Sequence, residues 1–283
     1  MIDGREIYKK FICPSPCLKG NKIHNIGFHI ADHCNMNCAN CAHFSPLASP
    51  HFPDKYELTK DLTRLSKLTK HKSLDVISIM GGEPLLNPDV IYYMIITRKL
   101  FPKTHITLMT NGLLLPKMSK EFWETLKSYK IVLVVSKYMP QKWYKNIEKL
   151  IKKHKCEELF GYAENPLFNC VTFIKNTLSK KSGHTSKEAW DFCPTKNTYL
   201  VLNNSRLYPC SICAFLHILE NRFNEGFSKV DTKDGINIHN NSYKEIIKFL
   251  KQPKETCKYC DFTAFDKIYF PKVATQNRED WIK

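Results

Sequence analysis

The sequence predicts an α/β protein in which short apolar strands alternate with amphipathic helices, giving a parallel sheet curved into a full or partial barrel, followed by a smaller hairpin-plus-helix unit. Three observations carry this expectation. Strand-length apolar runs recur between residues 26 and 136, the segments between them repeat leucines and aromatics at helical spacing, and a turn signal flanked by apolar residues returns near residue 203. With 283 residues, 43% of them hydrophobic and 12% aromatic, the chain can bury a large core, which argues against disorder.

Taken in order, "IGFHIAD" (26–32) reads as a buried strand. A helix follows over "DKYELTKDLTRLSKLTKH", where Leu58, Leu62, Leu65 and Leu68 recur on one face and Asp54 with Glu57 forms a capping-box pattern. "DVISIM" (75–80) is the second strand, and Asn87 before Pro88 starts a helix through Leu100, proline being harmless at a first helical position. "HITLMT" (105–110) is the third strand, Phe122, Trp123 and Leu126 mark the next helix, and "IVLVVS" (131–136) is the fourth strand. Pro140 opens a helix that turns Trp143, Ile147, Leu150 and Ile151 inward, and further strands are expected near 156–160 and 170–174. Beyond residue 185, "TYLVLNNSRLYPC" reads as a hairpin turning at Asn203-Asn204, and "SYKEIIKFL" as a helix capped by Ser242 and Glu245 with Ile246, Ile247 and Leu250 inward.

Composition narrows the function classes. Twelve cysteines suit a disulfide framework only in a small secreted domain, and the charged start, MIDGREIYKK, is no export signal, so reduced thiols that hold metal are the better reading. The longest apolar stretch, "VIYYMIIT", falls far short of the roughly 20 residues a membrane span needs. A soluble, cytoplasmic protein is the expectation. Forty-three Lys and Arg against 27 Asp and Glu leave a formal charge of +16, scattered rather than massed, which fits either a biased composition or an anionic substrate or acidic electron donor.

In this pattern the working groups belong on loops after the strands. Cys34 to Cys41, "GGEP" (81–84), "TNG" (110–112) and Ser136-Lys137-Tyr138 follow the first four strands and face one mouth. "CNMNCANC" places Cys34, Cys38 and Cys41 in a C-x3-C-x2-C pattern, of which chance placement would give roughly 0.02 copies. Structural zinc wants four ligands in a closed tetrahedron, and no fourth is fixed by spacing here, although His33 and His43 lie close by. A four-iron cluster on three cysteines instead keeps one iron open to a small molecule.

"CNMNCANC" followed by "GGEPLL" resembles the radical S-adenosylmethionine (radical SAM) superfamily over residues 26 to 175. The resemblance implies a partial (β/α)6 TIM-like barrel, a three-cysteine 4Fe-4S cluster on Cys34, Cys38 and Cys41, and S-adenosylmethionine chelated at the open iron and cleaved to a 5'-deoxyadenosyl radical. It also implies cofactor contacts from Gly81, Gly82, Glu83 and Pro84, and a flavodoxin or ferredoxin electron donor. On physical grounds Gly81 and Gly82 let backbone approach the methionine end of the cofactor and Glu83 is an acceptor for its ammonium group, while Thr110, Asn111 and Ser136 suit a ribose or carboxylate. Asn40 stands where the family usually has an aromatic residue, in a contact that is largely a backbone one to adenine.

Cys193, Cys210, Cys213, Cys257 and Cys260 form a second set. The layout resembles the twitch domain, a shortened form of the auxiliary-cluster region of peptide maturases, present in enzymes that dehydrogenate aminocyclitols or epimerise sugars. That resemblance assigns Cys193, Cys210, Cys257 and Cys260 to one auxiliary 4Fe-4S cluster, with Ser205 where glycine is usual. Zinc is the rival, on the pairs Cys210-x2-Cys213 and Cys257-x2-Cys260, but 43 residues between the pairs is long for a ribbon and Cys193 is stranded. The fifth thiol, Cys213, is either a buried spectator or a hydrogen-atom donor to a substrate radical, which would make the enzyme an epimerase rather than a dehydrogenase.

The expected organisation is an N-terminal extension (1–25), a barrel (26–185) and a C-terminal auxiliary-cluster domain (186–283), acting on a hydroxyl-bearing small molecule such as a sugar, nucleotide sugar or cyclitol. A peptide-modifying maturase would use the same two clusters. A non-catalytic zinc or iron–sulfur module gripping nucleic acid would explain charge and cysteines, yet not "GGEP". Cys13, Cys17, Cys156 and Cys170 read as core or surface thiols. His43, within "HFSPLASPHF", either touches substrate or belongs to a turn shaped by Pro46, Pro50 and Pro53, and Lys137, Arg206 and Tyr208 are candidate contacts for an anionic substrate.

Overall fold

The computed structural model describes residues 17–70, 74–163, 178–193, 196–197, 199–227, 233–260, 273 and 276–283. A short antiparallel ribbon, β1 (Leu18–Lys19) and β2 (Lys22–Ile23), precedes an eight-stranded sheet. Its strands are β3 (Asn25–His29), β4 (Val76–Met80), β5 (His105–Thr110), β6 (Ile131–Ser136), β7 (Phe160–Ala163), β8 (Leu200–Asn203), β9 (Arg206–Tyr208) and β10 (Ile236–Asn237). The spatial order is β10-β9-β8-β3-β4-β5-β6-β7. The six strands from β8 to β7 pair in parallel, and β9 and β10 add antiparallel edges.

Every residue of β3 and β4 is buried, as expected of parallel strands covered on both faces. Alternation then sorts side chains between two layers. Ile26 and Phe28 join an outer core with Ile77, Ile79, Ile106, Leu108, Leu133 and Val135. Helices α1 (Lys55–Thr69), α2 (Val90–Leu100), α3 (Lys120–Ser128) and α4 (Gln141–Lys153) bury Leu62, Met94, Trp123 and Ile147 in that same core. Full burial of a side chain such as Leu62 contributes about 1.5–3 kcal/mol. The opposite face of β8 and β9 packs Val201 and Tyr208 against α6 (Ser211–Phe223) in a second, inner core; α5 (Ser186–Phe192) precedes β8, and α7 (Tyr243–Leu250) follows β10 and returns to the outer core.

Several local expectations hold. Asp54 accepts the Glu57 N–H at 2.9 Å, and Ser242 and Glu245 form a complete capping box at α7. Others shift. Helix α2 begins at Val90 rather than at Pro88, because the Asn87 side chain accepts the Asp89 N–H and spends that turn as a loop. The fifth strand starts at Phe160, since Glu157–Leu159 form a 3-10 turn. The sixth parallel strand is β8, added beside β3; the expected strand at 170–174 lies outside the described residues. The hairpin turns at Asn204-Ser205, both in the left-handed region (φ 45° and 60°), one residue later than expected. Ser205 tolerates a conformation that favours glycine because its N–H and hydroxyl both donate to Asp61 of α1, at 2.9 and 2.8 Å.

Helix α6 was not legible in the sequence. Nine of its thirteen residues are buried, and its unburied polar side is confined to half-buried His217 and exposed Asn221 and Arg222 toward its C-terminal end, too narrow to set a period. Among the described residues, no helix is long and apolar enough to cross a membrane.

Candidate active site

The loops that leave β3 and β4 are joined by backbone. Ile30 N–H donates to Met80 O at 2.8 Å, Gly82 N–H to Ala31 O at 2.7 Å and Glu83 N–H to His33 O at 3.0 Å. A Cβ on Gly81 would sit 2.4 Å from Ala31 O, and one on Gly82 2.3 Å from His33 O. The two glycines therefore also admit the neighbouring chain that leads into Cys34, a close approach beside the ligand contact expected of them.

Glu83 is fully buried and links three loops. Its carboxylate accepts Leu85 N–H (3.0 Å), the Thr110 hydroxyl (2.6 Å) and Asn111 N–H (2.8 Å). Burial nonetheless outweighs these donors and pushes its carboxyl up to about 7. Asn111 carries the chain of contacts onward: its amide donates to Asn35 Oδ1 at 2.7 Å and approaches Cys34 Sγ at 3.7 Å.

Cys34, Cys38 and Cys41 line one cavity of about 140 Å³, together with Gly81, Gly82, Thr110, Asn111 and Ser136. Asn40, Glu83 and Pro84 do not line it: Asn40 holds the loop at φ 61°, and Pro84 is buried at the start of a 3-10 turn. Burial, and for Cys38 the neighbouring thiols, push Cys34 and Cys38 up to about 12. Burial also raises Cys41, against the amides of Ser45, His43 and Phe44, which favour its thiolate. Phe44 sits at φ 53°, a left-handed position that bends the chain round this sulfur. Three thiols that resist ionisation unaided, two of them met by backbone amides (Met36 N–H on Cys34 at 3.3 Å, and those behind Cys41), fit a centre that supplies positive charge.

The cavity also takes in Tyr138, placed at the mouth by its position after the fourth strand, and Met36, Met80 and Met109, which the sequence did not single out, as well as His43, Ser45 and Pro46. The signal for Met80, Met109 and Tyr138 is strand alternation: each shares the inner face with a neighbour two residues away, as Tyr138 does with Ser136. Lys137 points the other way, its ammonium 4.3 Å from the Tyr162 ring centre, and Arg206 donates to Gly235 O. Tyr208 packs in the inner core, so none of these three lines the cavity.

The second cysteine set is assembled from three places. Cys193 ends α5, Cys210 caps α6 with Cys213 one turn in, and Cys257 and Cys260 belong to the 3-10 turn at Glu255–Tyr259. The sulfurs of Cys210 and Cys213 are 3.5 Å apart. The Cys213 thiol and the first amides of α6 lower the Cys210 thiol, and Cys213 rises in exchange. Burial first, then Cys210 and Cys193 among other neighbours, push Cys257 up to about 12 and also raise Cys260. All five thiols thus share one neighbourhood. Asp234 accepts Glu255 and Thr256 N–H beside them, and Lys254 is buried there with its ammonium on Phe249 O and Gln252 O. Cys213 is 1% exposed, inside the inner core and off the cavity wall.

Among the described residues, no three His, Cys, Asp or Glu side chains converge tightly enough to hold a single metal ion. A four-iron cluster is gripped differently, each cysteine meeting its own iron. Cys17 and Cys156 are buried, while Cys13 and Cys170 lie outside the described residues.

Comparison with known proteins gives three findings. Residues 28–161 match the family model of the radical SAM superfamily. GTP 3',8-cyclase of Aliarcobacter butzleri is 26% identical over 174 residues, 56% of this chain and 53% of that protein, and the Clostridium acetobutylicum GTP 3',8-cyclase is 28% identical over 103 residues, 36% and 31%. Molybdenum cofactor biosynthesis protein 1 of Bos taurus is 30% identical over 149 residues, 50% and 23%. The chain thus spans from 23% to 53% of the length of these curated relatives. The crystal structure of BtrN in complex with AdoMet and 2-DOIA superposes with a TM-score of 0.50 at 18% identity, covering 91% of this chain and 97% of that one, and so shares its fold.

Proposed function

We propose that this chain, a radical SAM protein over residues 28–161, abstracts hydrogen from a hydroxyl-bearing small molecule, a sugar, nucleotide sugar or cyclitol, to dehydrogenate or epimerise it. A 4Fe-4S cluster and S-adenosylmethionine, when bound, supply the chemistry by reductive cleavage to a 5'-deoxyadenosyl radical. The observation that carries the reading is one cavity walled on one side by Cys34, Cys38 and Cys41 and on the other by the Gly81-Gly82 backbone.

In this reading the three thiolates hold the cluster, and the amides behind Cys41 stabilise its negative sulfur. Gly81, Gly82, Thr110, Asn111 and Ser136 present backbone and small polar groups to the cofactor. Glu83 acts from beneath, fixing the loop after β4 to the loop after β5 so that these groups hold one geometry. Met80, Met109 and Tyr138 keep the space between them apolar, which limits water around a reactive intermediate.

Cys193, Cys210, Cys257 and Cys260 would hold an auxiliary 4Fe-4S cluster. The burial of Cys213 against Cys210, away from the cavity, supports dehydrogenation over epimerisation through that thiol. The +16 charge suits an acidic flavodoxin or ferredoxin as electron donor, and reduced thiols suit the cytoplasm. The names of the curated relatives favour a second reading, a guanosine nucleotide as substrate.

The test is anaerobic reconstitution with iron and sulfide, then a panel of deuterated cyclitols, nucleotide sugars and GTP. Deuterium recovered in 5'-deoxyadenosine from a cyclitol or sugar supports the first reading and from GTP the second. Absence of 5'-deoxyadenosine from the reduced, reconstituted protein overturns both.

A further inference from the structure

Sequence separates the two cysteine sets, yet the fold brings them to opposite sides of one packed contact. His43 lies two residues beyond Cys41 and lines the cavity. Its Nε2 is 3.1 Å from the hydroxyl of Ser211, the residue covalently following Cys210. The His43 ring also stands edge-on to Phe215 of α6 (5.4 Å between ring centres) and to buried His29 (4.5 Å). Cys41, Cys210 and Cys260 all border the apolar cluster built round Phe215, Leu219 and Trp281, which fills the space between the sets.

From Cys41 to Cys210 the path is therefore covalent through Ala42 to His43, crosses one hydrogen bond, and is covalent again through Ser211. The bond is part-buried, with Ser211 buried and the His43 ring packed against Phe215 and His29, and such packing holds its geometry better than full exposure would. Ser211 itself is off the cavity wall, and the cap residue of α6 is Cys210, so the Ser211 hydroxyl neither reaches the cofactor space nor caps the helix.

We propose that the His43–Ser211 hydrogen bond is the electron route between the centre on Cys34, Cys38 and Cys41 and the centre on Cys193, Cys210, Cys257 and Cys260. This rests on the reading of both sets as iron–sulfur sites. Exchange along it moves one electron: the donating centre is oxidised by one equivalent, the accepting centre is reduced by one, and no proton or atom changes place. Ser211 is then a positioning residue that acts through His43.

The experiment uses the full chain loaded anaerobically with iron and sulfide. A sub-stoichiometric pulse of reductant is followed by freeze-quench electron paramagnetic resonance, which reads how fast the two cluster signals re-equilibrate, and redox titration gives the two midpoint potentials. Ser211→Ala and His43→Phe should each slow re-equilibration severalfold, Ser211→Ala at unchanged iron content and midpoint potentials, and Ser211→Thr, which keeps the hydroxyl, should restore the rate. Wild-type speed in both Ser211→Ala and His43→Phe overturns the route. Two clusters that never exchange in the wild type overturn it while leaving the auxiliary-cluster reading intact, whereas loading of only four irons removes both together.

Discussion

The two cysteine sets solve one problem in opposite ways. Cys34, Cys38 and Cys41 sit on a single loop whose shape is fixed by backbone contacts from β4 and by the left-handed turn at Phe44. Cys193, Cys210, Cys213, Cys257 and Cys260 come from two helices and a 3-10 turn, and only packing brings them together. The first set depends on a short local geometry held by a parallel sheet; the second depends on the tertiary contacts of α5, α6 and the turn at Glu255–Tyr259. A perturbation of either should be felt locally, with His43 and Ser211 as the point where they touch.

The largest expected effect breaks the comparison outright. On the proposed two-cluster reading, Cys38→Ser should remove about half of the reconstituted iron and abolish 5'-deoxyadenosine formation while the spectrum of the second set persists. Loss of both spectra would show that the sets load as a unit.

Next in size is Gly82→Ala, which drives a methyl group to 2.3 Å from His33 O. Neither backbone can yield without moving the cysteine loop, so a cost of about 1–3 kcal/mol is expected, read as a lower urea midpoint. On the two-cluster reading, iron retention in the second set should be untouched.

Glu83→Gln sharpens the same contrast through pH. The native carboxyl is raised to about 7 from its ordinary 4.5, so its contribution is fully present below pH 4.5 and is lost as pH rises through 7. The substitution should flatten that part of the stability profile. It also turns an amide donor toward Thr110 or Asn111, at a cost of about 1–3 kcal/mol for the group left unpaired.

The smallest effect is expected at Ser205→Gly, in the hairpin that leads to Cys210. Relief of the left-handed backbone offsets loss of the hydroxyl bond to Asp61, leaving a change within about 0.5 kcal/mol by thermal unfolding. Asp61→Ala, which also unpairs His239, should cost more.

The same divide governs what could be read from sequence. Strands β3 to β6, helices α1, α3 and α4, and the three-cysteine loop were legible because each is written within a dozen residues: apolar runs, leucines at helical spacing, a cap, a cysteine pattern beyond chance. Gly81 and Gly82 were legible as special, but their partners, the carbonyls of Ala31 and His33, were not. Helix α6 was missed because its first six residues are all buried and its unburied polar side is limited to His217, Asn221 and Arg222, which weakens its period, and with it went the place of Ser211 and Phe215.

By itself, then, the sequence determined the alternation of strands and helices, the cysteine loop and the match of residues 28–161 to the radical SAM family model, since these are local patterns whose physics acts between near neighbours. Only the tertiary structure decided that β8 joins the sheet beside β3, that Glu83 lies beneath the cavity rather than on its wall, and that His43 meets Ser211. Those facts come from contacts between residues from 27 to 174 positions apart, which no local periodicity encodes and which close packing of the two cores selects.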